Sequence, residues 1–151
     1  MTDLRELYQT VILDHNRHPR NFRMPQCHNH KAQGVNPLCG DEVQIYLQLN
    51  EAGIIEDISF QGRGCAISTA SASIMTETLK GRSADEADIY FSAFHELVTG
   101  EGGRPAAELD FSKLEVLGGV AAYPARVKCA TLAWHTVQAA LHQNNEKITT
   151  E

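Results

Sequence analysis

The sequence lacks most of the features that would place it in a special class. In 151 residues there is no run approaching the roughly 20 apolar residues that a membrane-spanning helix needs. No segment is therefore expected to cross a bilayer. Positive charge is in deficit, with 13 Lys and Arg against 19 Asp and Glu and a net charge of -6. A protein that grips a phosphate backbone needs a concentrated basic surface, so nucleic acid is not an expected partner. The opening residues Met1 to Glu6 show no basic stretch leading into an apolar one. The expected location is cytoplasmic. No internal repeat and no linker interrupts the chain, and its length suits one domain over 1–151 with its own core. The composition, 42% hydrophobic and 21% charged, is that of an ordinary globular protein.

Cysteine is sparse too, and the four present (Cys27, Cys39, Cys65, Cys129) show no CxxC spacing. With no export signal they are expected to stay reduced and to serve metal or sulfur chemistry rather than to pair as disulfides.

What is present centres on the turn Asn36-Pro37-Leu38-Cys39-Gly40-Asp41. Pro37 fixes one backbone angle and Gly40 can take a positive φ, so the chain can bend sharply and aim Cys39 and Asp41 at one point. A thiol and a carboxylate so placed suit a metal ion or an exposed nucleophile.

Around this turn the periodicities predict an α+β fold. Leu4, Leu7, Tyr8, Val11 and Ile12 keep helical spacing over about residues 3–16, and His18-Pro19 should end that helix. The polar stretch Arg17 to Met24 reads as a solvated loop. A short first strand is expected over His28 to Val35. Val43, Ile45, Leu47 and Leu49 alternate with polar residues as a second strand, and Ile54 to Gln61 returns as a third after the loop Asn50 to Gly53. Four to five helices should cover this sheet of about three antiparallel strands. One starts after Gly62-Arg63-Gly64-Cys65 and runs to Gly81, and another opens on the capping box Ser83-Ala84-Asp85-Glu86 and closes at Gly100. A flexible loop is expected over Glu101 to Pro105 and a short helix over Phe111 to Leu117. Pro124 suits the first position of a last helix that carries Val127, Cys129, Ala130, Trp134 and Leu141. From about residue 142 to 151 the polar end is expected to fray.

Three cysteines then stand at element boundaries. Cys65 at a helix N-terminus meets free N–H groups that favour a thiolate, although a tight strand-to-helix junction also simply demands a small residue. Cys39, Cys65 and Cys129 with Asp41 supply three soft sulfurs and one carboxylate, a four-coordinate set for Zn(II) or an iron-sulfur cluster. Arg126, three residues before Cys129, shares its helix face, whereas His135 points largely away. Cys27, His28 and His30 also lie close in sequence. Consecutive strand residues face opposite sides, so they are not expected to converge on one ion.

Five segments strengthen the metal reading: Asp14 to Asn21, Asn36 to Asp41, Gly62 to Ser68, Ala70 to Ser73 and Pro124 to Trp134. In these the chain resembles the NifU N-terminal/IscU superfamily of iron-sulfur cluster assembly proteins, and more closely its SufU branch. Lys128 stands where IscU scaffolds have a histidine, and Tyr123-Pro124-Ala125-Arg126-Val127 replaces their chaperone-recognition motif. The stretch from Gly100 to Val120 resembles the SufU insertion. The resemblance implies Zn(II) on Cys39, Asp41, Cys65 and Cys129, with Cys39 accepting sulfur and Arg126 in support. It implies a SufS-type cysteine desulfurase as sulfur donor, a histidine of which would take the place of Cys39 on the metal, and downstream iron-sulfur assembly proteins as further partners. The activity implied is zinc-dependent sulfur transfer. The alternative is a scaffold that builds a [2Fe-2S] cluster or holds iron on Cys39, Cys65 and Cys129.

Overall fold

The computed structural model describes residues 4–37, 39–99, 112–142 and 148–149. The first helix, α1 (Leu4–Arg17), stops where Pro19 forbids continuation, with the His18 N–H closing on the Asp14 carbonyl at 2.9 Å. Strands β1 (His30–Asn36), β2 (Asp41–Leu49) and β3 (Ile55–Arg63) form the expected antiparallel meander. The first begins two residues later than the pattern suggests. On β2 the side chains of Val43, Ile45 and Leu47 enter the core while Glu42 and Gln44 face water. The register sets Ile45 opposite Phe60 and Leu47 opposite Ile58, so one continuous apolar face results.

That face is covered by α2 (Ala66–Leu79) and by α5 (Pro124–Leu141), which also packs on α3 (Ala84–Thr99). Ile74, Met75, Leu79, Tyr90, Phe94, Leu132, Trp134 and Val137 are fully buried between them. Trp134 stacks on Phe94 at 4.7 Å between ring centres and gives its indole N–H to Ser71 Oγ at 3.2 Å, so its one polar atom is paired inside the core. The capping box that opens α3 is formed in both directions, Glu86 N–H to Ser83 Oγ and Ser83 N–H to Glu86 Oε1, each at 3.1 Å. A short helix α4 (Ser112–Leu117) and a 3-10 turn (Gly118–Ala122) lead into Pro124, the first residue of α5. The expected loop from Glu101 to Pro105, and the part of the Gly100 to Val120 stretch before Ser112, lie outside the described residues.

One expectation is corrected. Within the stretch 142–151, expected to fray, Ile148–Thr149 form a short strand, β4, paired in parallel with Gly34 and Val35 of β1, while residues 143–147 and 150–151 lie outside the described residues. The isoleucine and threonine of a polar tail suffice because β1 presents an open edge that any extended segment can pair with. The sheet order is β3-β2-β1-β4. Among the described residues no helix is long and apolar enough to cross a membrane.

Two family-motif segments meet at the end of α1. His15 is fully buried and shares a 2.7 Å hydrogen bond with Ser73 Oγ, which also receives the Arg20 N–H at 2.8 Å. Asn21 takes a positive φ of 60°, gives its side-chain amide to Thr76 Oγ1 at 3.0 Å, and accepts the Phe60 N–H on its carbonyl at 3.0 Å. The stretch Arg17 to Met24 is therefore a clasp tying α1 to α2 and β3 rather than a solvated loop throughout.

Candidate metal centre

The β1–β2 hairpin sets the geometry of its own turn. Asn36 and Asp41 are the last cross-strand pair, both buried, and the Cys39 N–H closes the bend on the Asn36 carbonyl at 3.2 Å. Gly40 has φ 71°, which an L side chain adopts only with strain. The result is an exposed Cys39 above an Asp41 that is only 1% exposed.

Helix α5 brings Cys129 to the same place from below. One sulfur, one carboxylate oxygen and one further sulfur, from Cys39, Asp41 and Cys129, lie within 4.8 Å of one another, the two sulfurs 3.3 Å apart. Among the described residues this is the group of Cys, His, Asp and Glu that converges in this way. Cys65 falls just outside it. It caps the N-terminus of α2, and its sulfur accepts the Ser68 N–H at 3.4 Å, while its own N–H is bound to Asp41 Oδ1 at 2.8 Å. Cys65 thus touches the group through its backbone, with its sulfur turned onto the helix end.

The approach of the two strands' ends depends on Gly64. A Cβ at that position would stand 2.6 Å from Asp41 Oδ1, so only glycine lets Cys65 N–H reach the carboxylate.

The electrostatics are those of an incomplete site. Asp41 Oδ2 is buried with no hydrogen-bond partner, and so is Asn36 Oδ1. An unpaired buried carboxylate oxygen is costly, and a cation is the partner that restores most. Burial, followed by the hydrogen bond to Cys39 and the nearness of Asp41, pushes the Cys129 thiol far above its ordinary pKa. A bound cation reverses that balance and holds the thiolate. Arg126 answers the same charges: its hydrogen bond to Cys129 and the nearby Cys65 and Cys39 raise its pKa above the ordinary value. The two converging thiolates and the carboxylate would carry three negative charges, of which a divalent ion would offset two and Arg126 one. The donor set therefore fits a zinc or iron centre, in donor type and in charge.

The remaining candidates are elsewhere. Cys27 is exposed, His28 stacks edge-on with Tyr46, and His30 bonds Asn29, so these three do not join the group. His135 packs against Phe91 and His95 on α3. The sequence reading missed the inward side chain of Asn36. The signal was there in the period of β1, since Ala32, Gly34 and Asn36 fall on one face and the last two are buried.

The model of the NifU-like N terminal domain family matches residues 7–130. The chain belongs to that family. It is similar to the zinc-dependent sulfurtransferase SufU of Bacillus subtilis, with 37% identity over 136 residues, covering 90% of each chain. It is equally similar to the iron-sulfur cluster assembly scaffold protein IscU of Streptococcus pyogenes serotype M1, with 37% identity over 150 residues, 95% of this chain and 88% of the other. Among solved structures, a protein from Fervidobacterium islandicum AW-1 described as an iron-sulfur cluster assembly scaffold for the SUF system superposes with a TM-score of 0.78. It is 30% identical, and the match covers 90% of this chain and 97% of that one.

Proposed function

We propose that this NifU-like protein works in iron-sulfur cluster assembly as a zinc-dependent sulfurtransferase, with Cys39 as the sulfur acceptor. The observation that carries the reading is the unequal burial of the converging ligands: Asp41 and Cys129 are buried while Cys39 is exposed on a turn. The likeness to the Bacillus subtilis sulfurtransferase supports it. Cys39, Asp41 and Cys129 would hold Zn(II), and Cys65 would complete the set once its sulfur turns from the Ser68 N–H. Zinc, when bound, supplies a standing positive charge that keeps these sulfurs as thiolates at neutral pH.

The donor is a persulfide on a cysteine desulfurase of the SufS type. The Cys39 thiolate attacks the outer sulfur of that persulfide, forming a new S–S bond on Cys39 as the donor's S–S bond breaks. The donor cysteine leaves as a thiolate and Cys39 carries the persulfide. Arg126, exposed beside the three sulfurs, steadies negative charge as it moves between them. Downstream iron-sulfur assembly proteins then take the sulfur.

The test is desulfurase turnover with zinc-loaded protein. Wild type is expected to accelerate it and Cys39→Ala to abolish the acceleration; stimulation that survives the substitution sinks the assignment. A second reading is favoured by the equal likeness to scaffold proteins: a [2Fe-2S] cluster is assembled on Cys39, Cys65 and Cys129 as cargo. Anaerobic reconstitution followed by transfer to an apo-ferredoxin decides between them.

A further inference from the structure

The metal reading leaves a question of selectivity. Two sulfurs 3.3 Å apart, Cys39 and Cys129, are chemically alike, and only one of them is to react. Their surroundings differ at one buried residue. Asn36 is fully buried and points its side-chain amide at Cys129, with Nδ2 3.7 Å from Sγ. The same residue accepts the Cys39 N–H on its main-chain carbonyl, so it touches both cysteines by different groups.

The amide is not there to satisfy the fold. Its Oδ1 is buried with no partner, which a purely structural asparagine would avoid, since half-satisfied buried amides are destabilising. What remains for the side chain to do lies at the sulfur. The N–H is also the end that must face a thiolate, because the carbonyl end would set lone pairs against negative charge. A hydrogen bond to a thiolate lowers its basicity and its nucleophilicity, and fixes its direction as a ligand. The other donor to Cys129, Arg126, is exposed and within reach of an incoming partner. Asn36 is not. Among the described residues the polar contact of the Cys39 sulfur is Cys129 itself, so no amide holds it back.

We propose that Asn36 is a positioning residue whose side-chain N–H holds the Cys129 sulfur in the metal site and quenches its reactivity, so that Cys39 is the ligand that leaves and accepts sulfur. The inference rests on the metal reading above. It makes the selectivity a property of a hydrogen bond and not of burial alone.

The experiment uses the full chain as wild type, Asn36→Ala and Asn36→Asp, the last keeping the shape while replacing the donor by an acceptor. Zinc affinity is measured by competition with a chromogenic chelator. Ligand character is read from the thiolate-to-metal absorption of the Co(II) form, and reactivity from site-resolved alkylation of the zinc form by mass spectrometry. Both variants are expected to bind zinc about 10- to 100-fold more weakly, to shift the Co(II) band to lower energy, and to raise Cys129 labelling relative to Cys39. Unchanged affinity, band and labelling ratio in either folded variant overturn the role of Asn36 while leaving the metal site intact. A wild type that takes up neither zinc nor cobalt overturns the metal reading, and this inference with it.

Discussion

The clasp at the end of α1 and the turn between β1 and β2 both bury polar side chains, and they differ in whether the atoms find partners. In the clasp, His15 meets Ser73, Asn21 meets Thr76, and the backbone of Arg20 and Phe60 is drawn into the same network. In the turn, Asp41 Oδ2 and Asn36 Oδ1 are buried without a hydrogen-bond partner, and beside them burial, the hydrogen bond to Cys39 and the Asp41 carboxylate raise the pKa of the Cys129 thiol. Burial without satisfaction costs free energy in the apo-protein and is recovered only when something binds. The clasp works for the fold and the turn works for a ligand.

Substitutions that separate stability from metal binding test this division. The largest effect is expected at Asp41→Ala. Zinc affinity should fall at least about 100-fold, roughly 2.7 kcal/mol, while the metal-free protein unfolds at the same or a higher temperature, because a buried carboxylate with one oxygen unpaired has been removed. Chelator competition and thermal melting of the apo-protein measure the two sides. A large loss of apo-stability would show that Asp41 is held for the fold through its bond to Cys65 N–H.

The converse is His15→Ala, which leaves Ser73 Oγ with the Arg20 N–H alone and opens a void at a fully buried site. A loss of about 2–4 kcal/mol is expected in urea unfolding. Zinc affinity measured under native conditions should stay within about threefold of wild type. A parallel fall in both would make the clasp part of the site.

How much of this could be read from residues alone follows the same line. The meander was legible because Val43, Ile45, Leu47 and Leu49 recur at every second position of β2, and the last helix because Pro124 opens it and Trp134 sits at core spacing. Cys39, Asp41 and Cys129 were legible as ligand types at element ends, and the family segments already group them. The clasp was not, since His15 and Asn21 look like surface polar residues until Ser73 and Thr76 arrive from more than 50 positions away. Strand β4 was missed for the same reason, because what orders it is the free edge of β1 and not its own sequence. Nor could spacing show that the Cys65 sulfur turns to Ser68, which is decided by the unpaired N–H groups of α2.

Two glycines offer a finer cut. At Gly34 an added methyl collides with Thr136 Oγ1 of α5, under the middle of β1, and Gly34→Ala should cost about 1–3 kcal/mol of stability. At Gly64 the same methyl meets the Asp41 carboxylate at 2.6 Å. Gly64→Ala should therefore weaken zinc binding by about tenfold, near 1.4 kcal/mol, with a smaller change in unfolding. Urea titration and chelator competition on both variants are the measurement, and equal stability losses would erase the distinction between a fold glycine and a site glycine.

The smallest effect is expected where a half-buried imidazole serves neither purpose. His135 packs between α5 and α3 against Phe91 and His95, and burial, with the charge of His95 added, lowers its pKa below the ordinary value. The unfolded chain therefore takes up the proton first as pH falls. Stability is expected to be flat above the ordinary histidine pKa, about 6.5, and to decline as acidification carries the folded protein down toward the lowered value. His135→Leu removes the group that resists protonation and keeps an apolar contact for Phe91. Its melting temperature should change less than that of wild type between neutral and mildly acidic pH, by a few degrees at most. Because His135 lies apart from Cys39, Asp41 and Cys129, zinc affinity at neutral pH should not move. Parallel melting curves for the two proteins would mean that the acid sensitivity resides elsewhere.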